Sequence, residues 1–209
     1  TLSYPDLKPV PGLPQNWCNA LAVSSSGGLF ARAVAEKNVI EVWQCSPVKK
    51  LATFSGYRDA IRCLAFSPDN RLVASGDGER LIRVWDLQTK EEVRRFSGHL
   101  SRIECLQFTA DARFLISLSR NYGIVRIWNL NTGRELAAIG DRTIHRLPWR
   151  RLALSPSGQL LAYIHGHSVT RILDFSPLEP STDVLREASS AFLPARKGIA
   201  AKSTDAHEN

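Results

Sequence analysis

The sequence predicts an all-β protein made of four-stranded antiparallel sheets repeated along the chain. Three observations carry that expectation. Residues 39–43, 81–86 and 124–129 read Val-Ile-Glu-Val-Trp, Leu-Ile-Arg-Val-Trp-Asp and Ile-Val-Arg-Ile-Trp-Asn, alternating aliphatic runs that end at a tryptophan. Trp43, Trp85 and Trp128 are 42 and 43 residues apart, and a fixed period of about 40 residues marks an array built one sheet at a time. Residues 61–70, Ile-Arg-Cys-Leu-Ala-Phe-Ser-Pro-Asp-Asn, match residues 103–112, Ile-Glu-Cys-Leu-Gln-Phe-Thr-Ala-Asp-Ala.

Strict alternation buries one face of a strand and exposes the other, so the matched segments begin with the first strand of a unit. Residues 67–70 follow as a turn: Pro68 presets φ, and Asp69 and Asn70 bond their own backbone. Residues 72–76 and 114–117 are second strands, and the tryptophan segments are third strands. Residues 51–54, 93–96 and 135–139 supply the fourth. Two weaker copies flank these. Residues 20–28, Ala-Leu-Ala-Val-Ser-Ser-Ser-Gly-Gly, are an eroded strand and turn before Trp43. Residues 151–158, 160–164 and 169–174 form the last copy, with Leu173 in the tryptophan place, 45 residues after Trp128. The expected units are 17–56, 57–98, 99–140 and 141–188. Residues 1–16 carry Pro5, Pro9, Pro11 and Pro14 and read as a linker or a closing strand. Residues 189–209 read as a disordered tail, with low hydrophobicity and no periodicity.

Gly98-His99, Ser117 and Trp128 stand at the Gly-His, Ser/Thr and Trp places of the WD-repeat β-propeller family, which the chain resembles over residues 17–175. The resemblance implies a hydrogen-bonded chain inside each blade, so His99, Ser117, Trp43, Trp85 and Trp128 are assigned structural roles. The family's Asp place is held by Asn121 here and by Glu79 in the preceding repeat. Gly56-Tyr57 replaces Gly-His in that repeat, and Gly140-Asp141 replaces it in the last. Closure into a ring protects blade edges, and rings of this family most often have seven blades. Four blades therefore imply part of a larger ring, with pairing of two half-rings or an unusually small ring as alternatives. The absence of Met supports an excerpt of a longer protein.

Hydrophobic residues make up 44% and charged residues 22%, the balance of a soluble globular chain. No apolar run reaches the roughly 20 residues of a membrane helix. Cys18, Cys45, Cys63 and Cys105 show no Cys-x-x-Cys spacing, so no metal is expected. They read as small buried apolar residues in a reducing compartment, with a cytoplasmic or nuclear location. The net charge of +7, from 27 basic and 20 acidic residues, suits an acidic protein partner or nucleic acid.

No catalytic constellation is present, and the chain is expected to be neither an enzyme nor a cofactor binder. There is no Gly-x-Ser-x-Gly elbow and no Gly-x-x-x-x-Gly-Lys-Ser/Thr loop. His99 with Ser117 resembles a catalytic pair, but the repeat register makes it a buried structural bond. His165 and His167 lack a third ligand at useful spacing and read as a turn.

The loops before the first and third strands share one end of each unit, which by resemblance is the partner-binding face. Tyr57, Arg58, Arg80, Arg102, Arg120, Tyr122, Arg146 and Trp149 are the candidate partner-binding residues, since interface hot spots favour Arg and aromatic side chains. Asp59, Arg142 and Arg150 stand among them. The insertion at 140–149 departs from the repeat, and such loops are where binding is placed. The expected function is a non-catalytic scaffold for a protein or peptide partner. The alternatives are a nucleic-acid-associated scaffold, whose Arg rim contacts phosphates, and a regulatory repeat domain of a larger enzyme.

Overall fold

In the computed structural model, the described residues are 12, 17–120, 124–140, 152–155, 160–165 and 169–174. They form strands and turns, with no helix among them. The first sheet is β1 (Cys18–Val23), β2 (Leu29–Val34), β3 (Val39–Cys45) and β4 (Val48–Phe54). The second is β5 (Ile61–Phe66), β6 (Leu72–Asp77), β7 (Ile82–Asp86) and β8 (Glu92–Phe96). The third is β9 (Ile103–Phe108), β10 (Phe114–Ser119), β11 (Val125–Asn129) and β12 (Arg134–Ile139). The fourth contains β13 (Leu152–Leu154), β14 (Leu160–His165) and β15 (Val169–Asp174). Each sheet is an antiparallel meander in chain order. The expected all-β blades are therefore the observed architecture.

The same turn closes the first two strands of each sheet. Ser67 Oγ accepts from Leu72 N at 2.8 Å and donates to Asp69 Oδ1 at 2.5 Å. Thr109 repeats this with Phe114 N at 3.1 Å and Asp111 at 2.6 Å. Ser24 accepts from Leu29 N at 2.9 Å, with Ser26 in the acid's place at 3.2 Å. Ser155 accepts from Leu160 N at 3.0 Å. One hydroxyl thus marks the turn in all four units, even where the flanking residues have drifted. The turn after the tryptophan strand uses an Asx residue. Asp86 Oδ1 accepts from Gln88 N and Thr89 N at 2.8 and 3.2 Å, and Asn129 Oδ1 accepts from Asn131 N and Thr132 N at 2.9 Å each.

The sheets pack face to face, with first strands as neighbours: β1 lies against β5, and β5 against β9. Cys63, on β5, points its thiol at the Ile103 carbonyl of β9, 3.8 Å away. Aromatic stacks join the outer parts. Phe54 at the end of β4 stacks on Trp85 of the next sheet, with centroids 4.8 Å apart, and Phe96 stacks on Trp128 at 4.9 Å. Ile40, Val42, Val73 and Trp85 form the first intersheet core, and Val84, Ile82, Leu115 and Trp128 the second. A third joins Ile116, Leu118 and Ile127 to Leu152 and Leu161. Trp43 is only half buried; it stacks on Phe30 of its own sheet, 6.3 Å away.

A bulge recurs just before each tryptophan. The register between third and fourth strands shifts at Val42/Trp43, Val84/Trp85 and Ile127/Trp128. One extra residue on the fourth strand sets Lys50, Glu92 and Glu135 opposite the tryptophans. Such bulges re-aim side chains, and this one supplies each sheet with a charged partner beside its tryptophan.

Trp128 joins two sheets, so Trp128→Ala is expected to cost about 3–5 kcal/mol in urea denaturation. Trp43→Ala, at a half-buried site without an intersheet stack among the described residues, should cost clearly less.

Candidate partner-binding face

The loops before the first and third strands meet directly. Gly78 N donates to the Ala60 carbonyl at 3.0 Å, and Arg120 N donates to the Arg102 carbonyl at 3.0 Å. The two sheets therefore build the same end from the same backbone link. Asp59 folds its carboxylate over Gly78, where a Cβ would lie 2.1 Å from a carboxylate oxygen and would displace that side chain. Arg80 sits at the tip of its turn with φ 72° and is exposed, as is Arg58. Arg102 Nε donates to Glu104 Oε1 at 2.7 Å, and Arg120 Nη1 lies 3.8 Å from the same oxygen. Two guanidinium groups thus converge on one carboxylate. Glu104 was not among the predicted site residues; its place on an outward strand position between two loop arginines was the available signal. Tyr122, Arg146 and Trp149 lie outside the described residues, as do Asn121, Asp141, Arg142 and Arg150.

Tyr57 requires a correction. It was expected on the binding rim, but only 7% of its surface is exposed. Trp85 Nε1 donates to Tyr57 Oη at 2.6 Å, and Tyr57 Oη is 2.6 Å from Ser75 Oγ. Ser75 in turn donates to the Arg83 carbonyl at 3.3 Å. Every proton in this chain has an acceptor. Burial pushes the Tyr57 phenol well above its ordinary range, so it stays protonated and donates. Tyr57 occupies the place of His99, and Glu79 is not needed to hold it.

In the third sheet, Trp128 Nε1 donates to Ser117 Oγ at 2.8 Å, and His99 Nε2 lies 2.6 Å from that oxygen. Burial, reinforced by Arg126, depresses the His99 pKa to about 3, so the ring is neutral. Its Nδ1 is buried without a partner among the described residues. Buried orphan N–H groups are rarer than bare acceptors, which favours the tautomer protonated at Nε2. A buried neutral imidazole bonded within its own blade is a structural element, as the resemblance implied.

Each of the first three sheets carries an ion pair beside its tryptophan, and its polarity reverses once. Arg83 faces Glu92 at 3.9 Å and Arg126 bonds Glu135. In the first sheet the places hold Glu41 and Lys50, 2.7 Å apart. Arg32 there takes the place of Ser75 and Ser117, donating to Glu41 Oε2 at 2.9 Å. Trp43 Nε1 donates to the same oxygen at 3.2 Å. Glu41 lies below its ordinary pKa: burial opposes ionisation, but hydrogen bonds from Lys50, Arg32 and Trp43 outweigh it.

The family described as WD40, WD domain, G-beta repeat, matches residues 48–86 and 90–129. These segments are WD repeats. The first covers β4 to β7 and the second β8 to β11, so each WD repeat spans a junction between sheets. Phe54 and Trp85 therefore belong to one repeat, and Phe96 and Trp128 to the next. No curated protein sequence matches the chain significantly. WD repeats generally serve protein–protein interaction and are typically non-catalytic.

The two versions of the buried chain give a pH test. An unfolded histidine titrates near 6.5 and folded His99 at about 3. Between these values the unfolded state binds more protons, so stability is full above about pH 6.5 and falls as pH drops toward 3. His99→Tyr copies Tyr57 and removes this contribution. Its melting temperature should fall less than that of the wild type between pH 6.5 and 4.

Proposed function

We propose that this chain is a non-catalytic scaffold that holds an acidic protein or peptide partner on the loop face carrying Arg58, Arg80, Arg102 and Arg120. The observation that carries this reading is the pairing of Arg102 and Arg120 on the single carboxylate of Glu104. The cluster keeps a surplus positive charge and half-exposed guanidinium groups, which match carboxylates bidentately. Crosslinking mass spectrometry on affinity-captured complexes tests it. Arg102→Glu with Arg120→Glu should abolish capture and leave the circular dichroism spectrum unchanged; undiminished capture by the double variant rejects the face. The net charge of +7 favours phosphate contact as the second reading. Binding that weakens steeply with salt, with nucleic acid in the captured material, would select it.

A second surface supports completion of the array by another blade. Leu21 and Val23 on β1 stand where Leu64 and Phe66 stand on β5, and Leu106 and Phe108 on β9. Leu64 and Leu106 are 8% and 6% exposed in intersheet cores, whereas Leu21 and Val23 are 62% and 67% exposed beside Trp17. An apolar strand face of this kind favours a further blade, from a second copy or from elsewhere in a longer polypeptide. At rising concentration the chain should self-associate in analytical ultracentrifugation, and Leu21→Asp with Val23→Asp should hold it monomeric.

A further inference from the structure

The tryptophan-side ion pair is closed in two sheets and open in one. Lys50 donates to Glu41, and Arg126 to Glu135. Arg83, in the same column as Arg126, has no hydrogen-bond acceptor among the described residues. Its nearest acid, Glu92, is 3.9 Å away, and its Nε is buried without a partner among the described residues, as is that of Arg126, so the missing carboxylate contact is what sets Arg83 apart. Yet the side chain is only 7% exposed. Its guanidinium carbon lies over the Tyr57 ring, 4.5 Å from the centroid, and the phenol is itself pinned to Ser75 and Trp85.

The cause is one residue. Arg95 takes Glu92 away: its Nε donates to Oε1 at 2.5 Å and its Nη2 to Oε2 at 2.9 Å. The bulge at Val84/Trp85 brings these two side chains, three positions apart, to one face. In the third sheet the place of Arg95 is held by Ala138, and Glu135 stays on Arg126. Beside Arg83 there is instead a pocket of about 550 Å³, lined among others by Gly56, Arg58, Glu79, Arg83, Glu92 and Arg95. Gly56, at φ 91°, lies against Arg83: a Cβ there would stand 3.4 Å from Nη1.

We propose that this pocket is a carboxylate-binding site in which Arg83 receives an acidic side chain of a partner peptide, as Arg126 receives Glu135. Glu135 shows in the same fold what group fits the place. Three arginines against two glutamates leave a single surplus positive charge, which suits a monoanionic carboxylate better than a dianionic phosphate. Arg58 at the mouth continues into the loop face described above. That the occupant is a peptide rests on the partner-binding reading, whereas the carboxylate site stands on Arg83 alone.

The test follows the arginine Nε–Hε signals of the whole chain by NMR during titration with sodium acetate at constant ionic strength. Inorganic phosphate and a capped pentapeptide with one central glutamate, or glutamine, serve as comparison probes. The Arg83 signal should shift saturably with acetate and the glutamate peptide, while Arg32 and Arg126 stay still. Arg95→Ala should return Glu92 to Arg83 and weaken the response at least about tenfold, the scale of one charge-assisted hydrogen bond. Ala138→Arg should draw Glu135 away and make Arg126 respond. Arg95 and Ala138 lie on an outermost strand, and the amide spectrum reports whether each variant folds. An unresponsive Arg83, or a response unchanged by Arg95→Ala while Ala138→Arg leaves Arg126 silent, overturns the site. Tighter phosphate than acetate binding overturns the carboxylate assignment. Acetate binding with equal affinity for the two peptides overturns the peptide occupant. Because acetate reads Arg83 directly, this test can fail while capture by Arg102 and Arg120 stands, and the reverse.

Discussion

The stacking of an aromatic residue from one sheet on the tryptophan of the next, with that indole N–H bonded inside its own sheet, is the contact on which the described structure depends. Phe54 on Trp85 and Phe96 on Trp128 supply broad apolar contact, and Tyr57 or Ser117 fixes the ring at its polar edge. A buried indole needs such a partner, since its N–H otherwise carries a desolvation cost. Each stacked pair lies within one WD repeat, while the two rings lie in different sheets. A repeat is therefore an interface as much as a folding unit, and each one ties two blades together.

Around that contact the chemistry is free to change as long as the proton count closes. Tyr57 replaces the histidine of the next sheet and satisfies its chain more completely, because a phenol accepts from Trp85 and donates to Ser75 with no atom left over. Histidine at the same place leaves Nδ1 without a described partner. The first sheet solves the problem differently. Arg32 stands in the hydroxyl place, Glu41 in the arginine place and Lys50 in the glutamate place, so the pair reverses sign and still encloses the indole.

These substitutions bear on function because a closed ion pair is structural, and an open one is available. Three sheets carry the pair, but only in the second does a competing arginine on the fourth strand separate it. The loop arginines follow the same logic at the surface, where Arg102 and Arg120 share one acid.

The blades were legible in the sequence because their causes are local. Short apolar runs of strand length mark β5, β6, β7, β9, β10 and β11, of which β6, β7, β10 and β11 are buried on both faces, and a hydroxyl-Asx turn ends β5 and β9. The repeat column also placed His99, Ser117 and the tryptophans. The rim was legible only in part. Arg58, Arg80, Arg102, Arg120 and Tyr57 fall in the expected loops, but Tyr57 turns its phenol inward to Ser75, 18 residues away, and leaves the rim. The sharing of Glu104 and the isolation of Arg83 were not legible. The order of residues along the chain by itself determined an array of antiparallel sheets with tryptophans at fixed steps. Only the tertiary structure decided which charges remain open, because a bulge turns positions three apart, Glu92 and Arg95, onto one face and lets Arg95, not Arg83, reach the acid first.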